Sequence, residues 1–116
     1  MILLNGKPQD VIPATDRGLH YGDGVFETLA FRNGKTRFWT AHMERLLDGC
    51  SRLSIPRPDV AQLHDEVALA AEGCEQAVIK IIVTRGSGGR GYRPPASPEP
   101  QRLIMRYPWP DHAVLE

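Results

Sequence analysis

The sequence predicts an α+β domain: an antiparallel sheet of five to six strands with two helices packed on one face. Three observations lead there. Asn5-Gly6 and Asn33-Gly34 each sit between short runs of strand formers, as expected of tight hairpin turns that need positive φ. Apolar residues recur at helical spacing only between Thr40 and Gly73, and β-branched runs return after that stretch. Strands, then two helices, then strands is the order of a sheet with its helices gathered on one side.

Ile2 to Leu4 and Asp10 to Ile12 flank Asn5-Gly6 and form the opening hairpin, while Val25 to Arg32 and Lys35 to Phe38 form a second around Asn33-Gly34. From Thr40, a reasonable N-cap, Met43, Leu46, Leu47, Cys50 and Leu53 mark one helical stripe that ends at Ile55-Pro56. A second helix starts with Pro58 in its first turn and buries Val60, Leu63, Val67, Ala70 and Ala71 before Gly73. Ala77 to Val83 reads as a central strand covered on both faces. Arg102 to Tyr107 alternates Leu103, Met105 and Tyr107 against Arg102, Ile104 and Arg106. Pro94 to Pro100 is a proline-rich loop, and Pro108 to Pro110 looks like the start of a linker.

A chain of 116 residues suits one domain with its own core. Fourteen basic and fourteen acidic residues leave no net charge, so nothing electrostatic argues for nucleic acid or an anionic membrane as partner. No run approaches the roughly 20 apolar residues of a membrane span, and MILLNGKPQD lacks the apolar stretch of a signal peptide, so the expected location is the cytoplasm. Cys50 and Cys74 have no metal-ligand spacing, and both fall in helical patterns as small buried hydrophobes. No metal site is expected.

Chemistry concentrates in two places. DRGLHYGDGVFET, from Asp16 to Thr28, packs three glycines, three acids, Arg17, His20 and Tyr21 between strands, which is more than a connection requires. Gly86, Gly88 and Gly91 fit a dinucleotide-binding spacing after a strand. Tyr92-Arg93-Pro94-Pro95 cannot readily open the helix such a site needs, because a residue before proline is pushed out of helical geometry. The same loop instead gathers Arg85, Arg90 and Arg93 around Tyr92, planar donors suited to a carboxylate. A solvated hairpin tip is the alternative.

Taken together, DRGLHYGDGVFET, HMERLLDGCSRL and VIKIIVTRGSGGRGYRP resemble the N-terminal part of the fold-type-IV pyridoxal-phosphate enzymes. Within that group, RGSGGRGY is most similar to the aminodeoxychorismate lyases of folate biosynthesis, which release pyruvate to give 4-aminobenzoate. The resemblance implies that Arg45, in the H-x-x-R-L pattern, binds the cofactor phosphate, and that Arg90, with Tyr92 and Arg93, holds a substrate carboxylate, often across a subunit boundary. Phe26 or Tyr21 would line the substrate pocket, each otherwise a core aromatic; Asp16 and Arg17 would fix the loop through hydrogen bonds to backbone groups, and His20 is either a packed imidazole or a ligand contact.

In that family the Schiff-base lysine and the acid beside the pyridine nitrogen come from a second domain. None of Lys7, Lys35 and Lys80 matches the lysine position, so residues 1–107 are expected to be an N-terminal domain, 108–116 the start of a linker, and the C-terminal domain to be absent. The resemblance thus implies about half of a homodimeric lyase acting on a small molecule. The fragment itself is expected to be inactive, not to retain pyridoxal 5′-phosphate, and to self-associate through uncovered apolar surface. A fold-type-IV aminotransferase for branched-chain or D-amino acids, and a non-catalytic dimerisation module, are the other readings.

Overall fold

The computed structural model describes residues 1–89 and 93–110. One six-stranded antiparallel sheet carries the fold, built from β1 (Ile2–Leu4), β2 (Lys7–Pro8), β3 (Gly24–Arg32), β4 (Lys35–Thr36), β5 (Gln76–Thr84) and β6 (Gln101–Pro108) in the spatial order β2-β1-β6-β5-β3-β4. Helices α2 (Trp39–Leu53) and α3 (Val60–Ala70) cover one face, and a short helix α1 (Arg17–Tyr21) precedes β3. Among the described residues no helix is long and apolar enough to cross a membrane.

Both Asn-Gly turns form, with Asn5, Gly6, Asn33 and Gly34 at φ of 52°, 84°, 51° and 78°. A two-residue turn returns the chain at once, so the partner of β1 is Lys7–Pro8 and not Asp10 to Ile12, which form no strand. The second hairpin stops at Thr36, two residues short of the expected Phe38, because the chain turns into α2. That helix starts earlier than expected: Phe38, in the left-handed region at φ 56°, precedes it, and Thr40 lies inside. Pro58 stands just before α3, whose N-cap is Asp59, its carboxylate accepting from the Gln62 amide at 3.1 Å. Cys50 is buried in α2, where desolvation pushes its thiol up in pKa, but Cys74 lies in the turn before β5, not in a helix.

The core lies between sheet and helices. Leu29, Phe31, Ile79, Ile81, Val83 and Ile104 meet Met43, Leu46, Cys50, Leu63 and Val67 there. On β6 the covered side also carries arginines. Arg102 holds Glu66 of α3 through bonds of 2.6 to 3.0 Å, and Arg106 donates to the Ala70 carbonyl at the end of α3 at 3.0 Å. Leu103, Met105 and Tyr107 therefore point to the opposite face, joined there by Val78, Lys80 and Ile82 of β5 and by Phe26 of β3. Among the described residues only α1 reaches the edge of that face and neither α2 nor α3 covers it, so β5 is central but largely open on one side, and Phe26 is 60% exposed.

Candidate functional site

The DRGLHYGDG segment folds into α1 because Asp16, fully buried, caps it by accepting from the Gly18 amide at 2.9 Å, and Gly22 ends it at φ 62°. The other Asp16 oxygen accepts from Thr84 Oγ1 at 2.9 Å, tying α1 to the end of β5. A Cβ on Gly18 would stand 2.5 Å from Thr84 Cγ2, so only glycine lets these elements approach so closely. His20 Nε2 donates to the Ala14 carbonyl at 2.7 Å. Asp16 and Arg17 fix the loop as expected, bonding to the main chain of Gly18 and Gly88, while His20 is exposed and not a packed imidazole.

Asp23 closes this region by joining two buried arginines. Arg17 Nε donates to it at 2.8 Å, Arg85 Nε at 2.7 Å and Arg85 Nη2 at 3.1 Å. Arg85 also donates to the Leu53 carbonyl at 2.6 Å and the Ser54 carbonyl at 3.1 Å, closing off the C-terminal end of α2. Burial alone would raise the Asp23 pKa, but the hydrogen bonds and charges of Arg85 and Arg17 outweigh it and hold the carboxyl below its ordinary value. Arg85 is only 7% exposed, so it is a structural tie and not one of the loop's carboxylate donors. Burial overturns that part of the sequence reading.

A second carboxylate, Glu27, organises the candidate site. It faces the helices from β3, 6% exposed, and holds two side chains of α2. His42 Nδ1 donates to Oε1 at 2.6 Å, while Arg45 lies side-on, Nη2 to Oε1 at 2.7 Å and Nε to Oε2 at 2.9 Å. His42 and Arg45 are three residues apart on a helix and so share the face that meets β3. Burial would raise the Glu27 pKa, but the hydrogen bonds from Arg45 and His42 and their charges more than offset it, and the carboxyl stays below its ordinary value.

Arg45 is nonetheless 72% exposed. A guanidinium bound side-on through Nε and one terminal nitrogen keeps its opposite edge, with two further parallel N–H donors. Arg45 is thus oriented from within and presents a bidentate edge to solvent, a donor set that fits a phosphate.

Phe26, next to Glu27 in sequence, projects to the open face. It lines a cavity of about 400 Å³ with Leu19, Ile82, Thr84 and Leu103. Arg45 and Phe26 therefore leave β3 on opposite faces. They flank the same strand where its outer edge is unpaired, because β4 pairs only with Phe31 and Arg32. Tyr21 is placed elsewhere: it stands under the Arg17 guanidinium, 4.6 Å from its ring centroid, and lines a different cavity with Asp23, Leu53 and Arg85. Within this chain the structure does not bring Tyr21 and Phe26 into one pocket. Arg93 is exposed, and Arg90 and Tyr92 lie outside the described residues.

The described residues thus form an antiparallel sheet with an acid-anchored arginine beside a strand edge that is unpaired among them. The comparisons name the class. A model of the amino-transferase class IV family matches residues 24–116, and the chain belongs to that family. It is 39% identical over 112 residues to an aminodeoxychorismate lyase of Vibrio harveyi, covering 97% of this chain and 41% of that protein. The crystal structure of 4-amino-4-deoxychorismate lyase from Pseudomonas aeruginosa superposes with a TM-score of 0.87 at 43% identity, over 97% of this chain and 42% of that one. A hypothetical aminotransferase from Mycobacterium tuberculosis in its PLP-bound form gives a TM-score of 0.76 at 27% identity, over 95% and 40% of the two chains. The chain spans about two fifths of the length of these relatives.

Proposed function

We propose that the whole protein carrying this chain is a pyridoxal-phosphate-dependent lyase that converts 4-amino-4-deoxychorismate to 4-aminobenzoate and pyruvate. The observation that carries this reading is agreement with such lyases over 97% of the chain, both in sequence and in fold. In it, residues 1–107 form the N-terminal domain of a cytoplasmic homodimeric enzyme, 108–116 begin the linker, and the reactive lysine lies in a C-terminal domain beyond these 116 residues. The 116 residues alone then have neither activity nor retained cofactor.

Bound pyridoxal 5′-phosphate supplies the electron sink for proton removal next to the substrate amine. The residues here have holding roles. Arg45, fixed by Glu27, grips the phosphate through its outer edge, so that the reacting end of the cofactor keeps a constant position. Phe26 offers its ring to the substrate ring, while Arg90, with Tyr92 and Arg93, takes a substrate carboxylate, and Tyr21 lines a separate cavity beside Arg17.

The test is to incubate the whole protein with 4-amino-4-deoxychorismate and pyridoxal 5′-phosphate and to follow 4-aminobenzoate by its fluorescence and pyruvate by a coupled assay. Equal amounts of the two products are expected. Transfer of an amino group from glutamate with no 4-aminobenzoate would instead establish the aminotransferase reading, which the likeness to the Mycobacterium aminotransferase favours.

A further inference from the structure

Lys80 stands in the middle of β5, opposite Thr28 of β3 and Met105 of β6, and strand alternation turns it to the open face. Its immediate surroundings there are Thr28, Val78, Ile82, Met105 and Phe26, apolar but for one hydroxyl, and the strand residues that share this face include no acid. Among the described residues Lys80 has no hydrogen bond and no ion pair; its ammonium lies over the Phe26 ring, 4.9 Å from the centroid. A half-buried ammonium on an apolar surface is costly unless something anionic comes to it, and a ring face compensates only in part. The same Phe26 ring, with Ile82 and Leu103, walls the cavity of about 400 Å³, a volume suited to one small ring compound. The cation therefore stands at the rim of an apolar pocket, separated from it by one shared aromatic wall.

We propose that Lys80 is a substrate-binding residue whose ammonium pairs with one carboxylate of a dicarboxylate substrate seated against Phe26. The proposal rests on the reading of the whole protein as a lyase for 4-amino-4-deoxychorismate, which carries two carboxylates, one of them paired with Lys80. An amino donor with one carboxylate would have no use for this second cation. Lys80 thus separates dicarboxylate from monocarboxylate substrates at a position unconnected with the phosphate grip of Arg45.

The experiment compares the wild-type whole protein with Lys80→Met and Lys80→Arg. A charge-assisted contact of this kind corresponds to about tenfold or more in affinity, so K80M is expected to raise KM by that factor with a much smaller change in kcat, and K80R to recover most of it. Calorimetric titration with chorismate, a dicarboxylate of the same ring type, and with 4-hydroxybenzoate, a monocarboxylate, supplies a readout independent of turnover. Wild type should prefer chorismate and K80M should lose that preference. An unchanged KM together with an unchanged preference in K80M overturns the proposal. So does a lowered melting temperature with KM and preference intact, because the anion would then be an acid elsewhere in the protein. If wild type makes no 4-aminobenzoate the lyase reading falls, and the chorismate preference of wild type over K80M still decides the role of Lys80.

Discussion

Two carboxylates in this domain each hold a pair of basic side chains at nearly the same distances, yet the clusters do different things. Asp23 binds Arg17 and Arg85 at 2.8 and 2.7 Å, and Glu27 binds Arg45 and His42 at 2.7 and 2.6 Å. Around Asp23 both arginines are buried, and further donors of theirs go to main-chain carbonyls of Gly88, Leu53 and Ser54. Around Glu27 the acid is buried but Arg45 is not, and one edge of its guanidinium stays open. The distance between opposite charges therefore says little about role. What separates a lock from a grip is whether the bound arginine is buried or still presents a donor edge to solvent.

The largest expected effect comes from breaking the lock. Asp23→Ala leaves two buried guanidiniums without their carboxylate, a loss of about 3–5 kcal/mol for a buried pair. In a domain of this size that lowers the melting temperature by well over about 10 °C, or prevents folding. Arg45→Ala leaves buried Glu27 its second partner, His42, so it should lower the melting temperature by clearly less than Asp23→Ala does. Thermal denaturation followed by circular dichroism reads both, and equal shifts would erase the distinction between the clusters.

Acid should act on both clusters in the same direction. The folded-state pKa values of Asp23 and Glu27 lie below their ordinary values, so each adds stability that is fully present above the unfolded value of about 4 and is lost as pH falls through the folded value. Urea midpoints measured from pH 7 downward should hold level to about pH 5 and then decline. Asp23→Asn and Glu27→Gln should each flatten part of that decline. A variant whose midpoint falls as steeply as that of the wild type would mean that its carboxylate is not held by its arginine.

These contrasts also separate what was legible in the sequence from what was not. The Asn-Gly turns, the stripe of α2 and the apolar run of β5 are local patterns, and they formed. Helix α1 was missed because five residues that include Gly18 carry almost no periodic signal; only Asp16 before it and Gly22 after it mark its ends. Arg85 was misread as a loop donor because burial by Asp23 and the end of α2 depends on contacts 31 to 62 residues away. Glu27 could have been found. It shares strand parity with Leu29 and Phe31, and an acid on the core side of a strand requires a basic partner, which His42 and Arg45 supply from one helix face.

The smallest effect on the fold sharpens the comparison most. Arg45→Lys keeps the charge but cannot lie side-on against Glu27 and still present two parallel donors outward. In the whole protein this variant should melt like the wild type and bind pyridoxal 5′-phosphate about tenfold more weakly. Its affinity for pyridoxal, which lacks the phosphate, should not change. Affinities for the two compounds, measured by fluorescence quenching, give the ratio that matters. If both fall together, the exposed edge of Arg45 does not meet the phosphate, and the Glu27 cluster is a second lock whose arginine happens to face water.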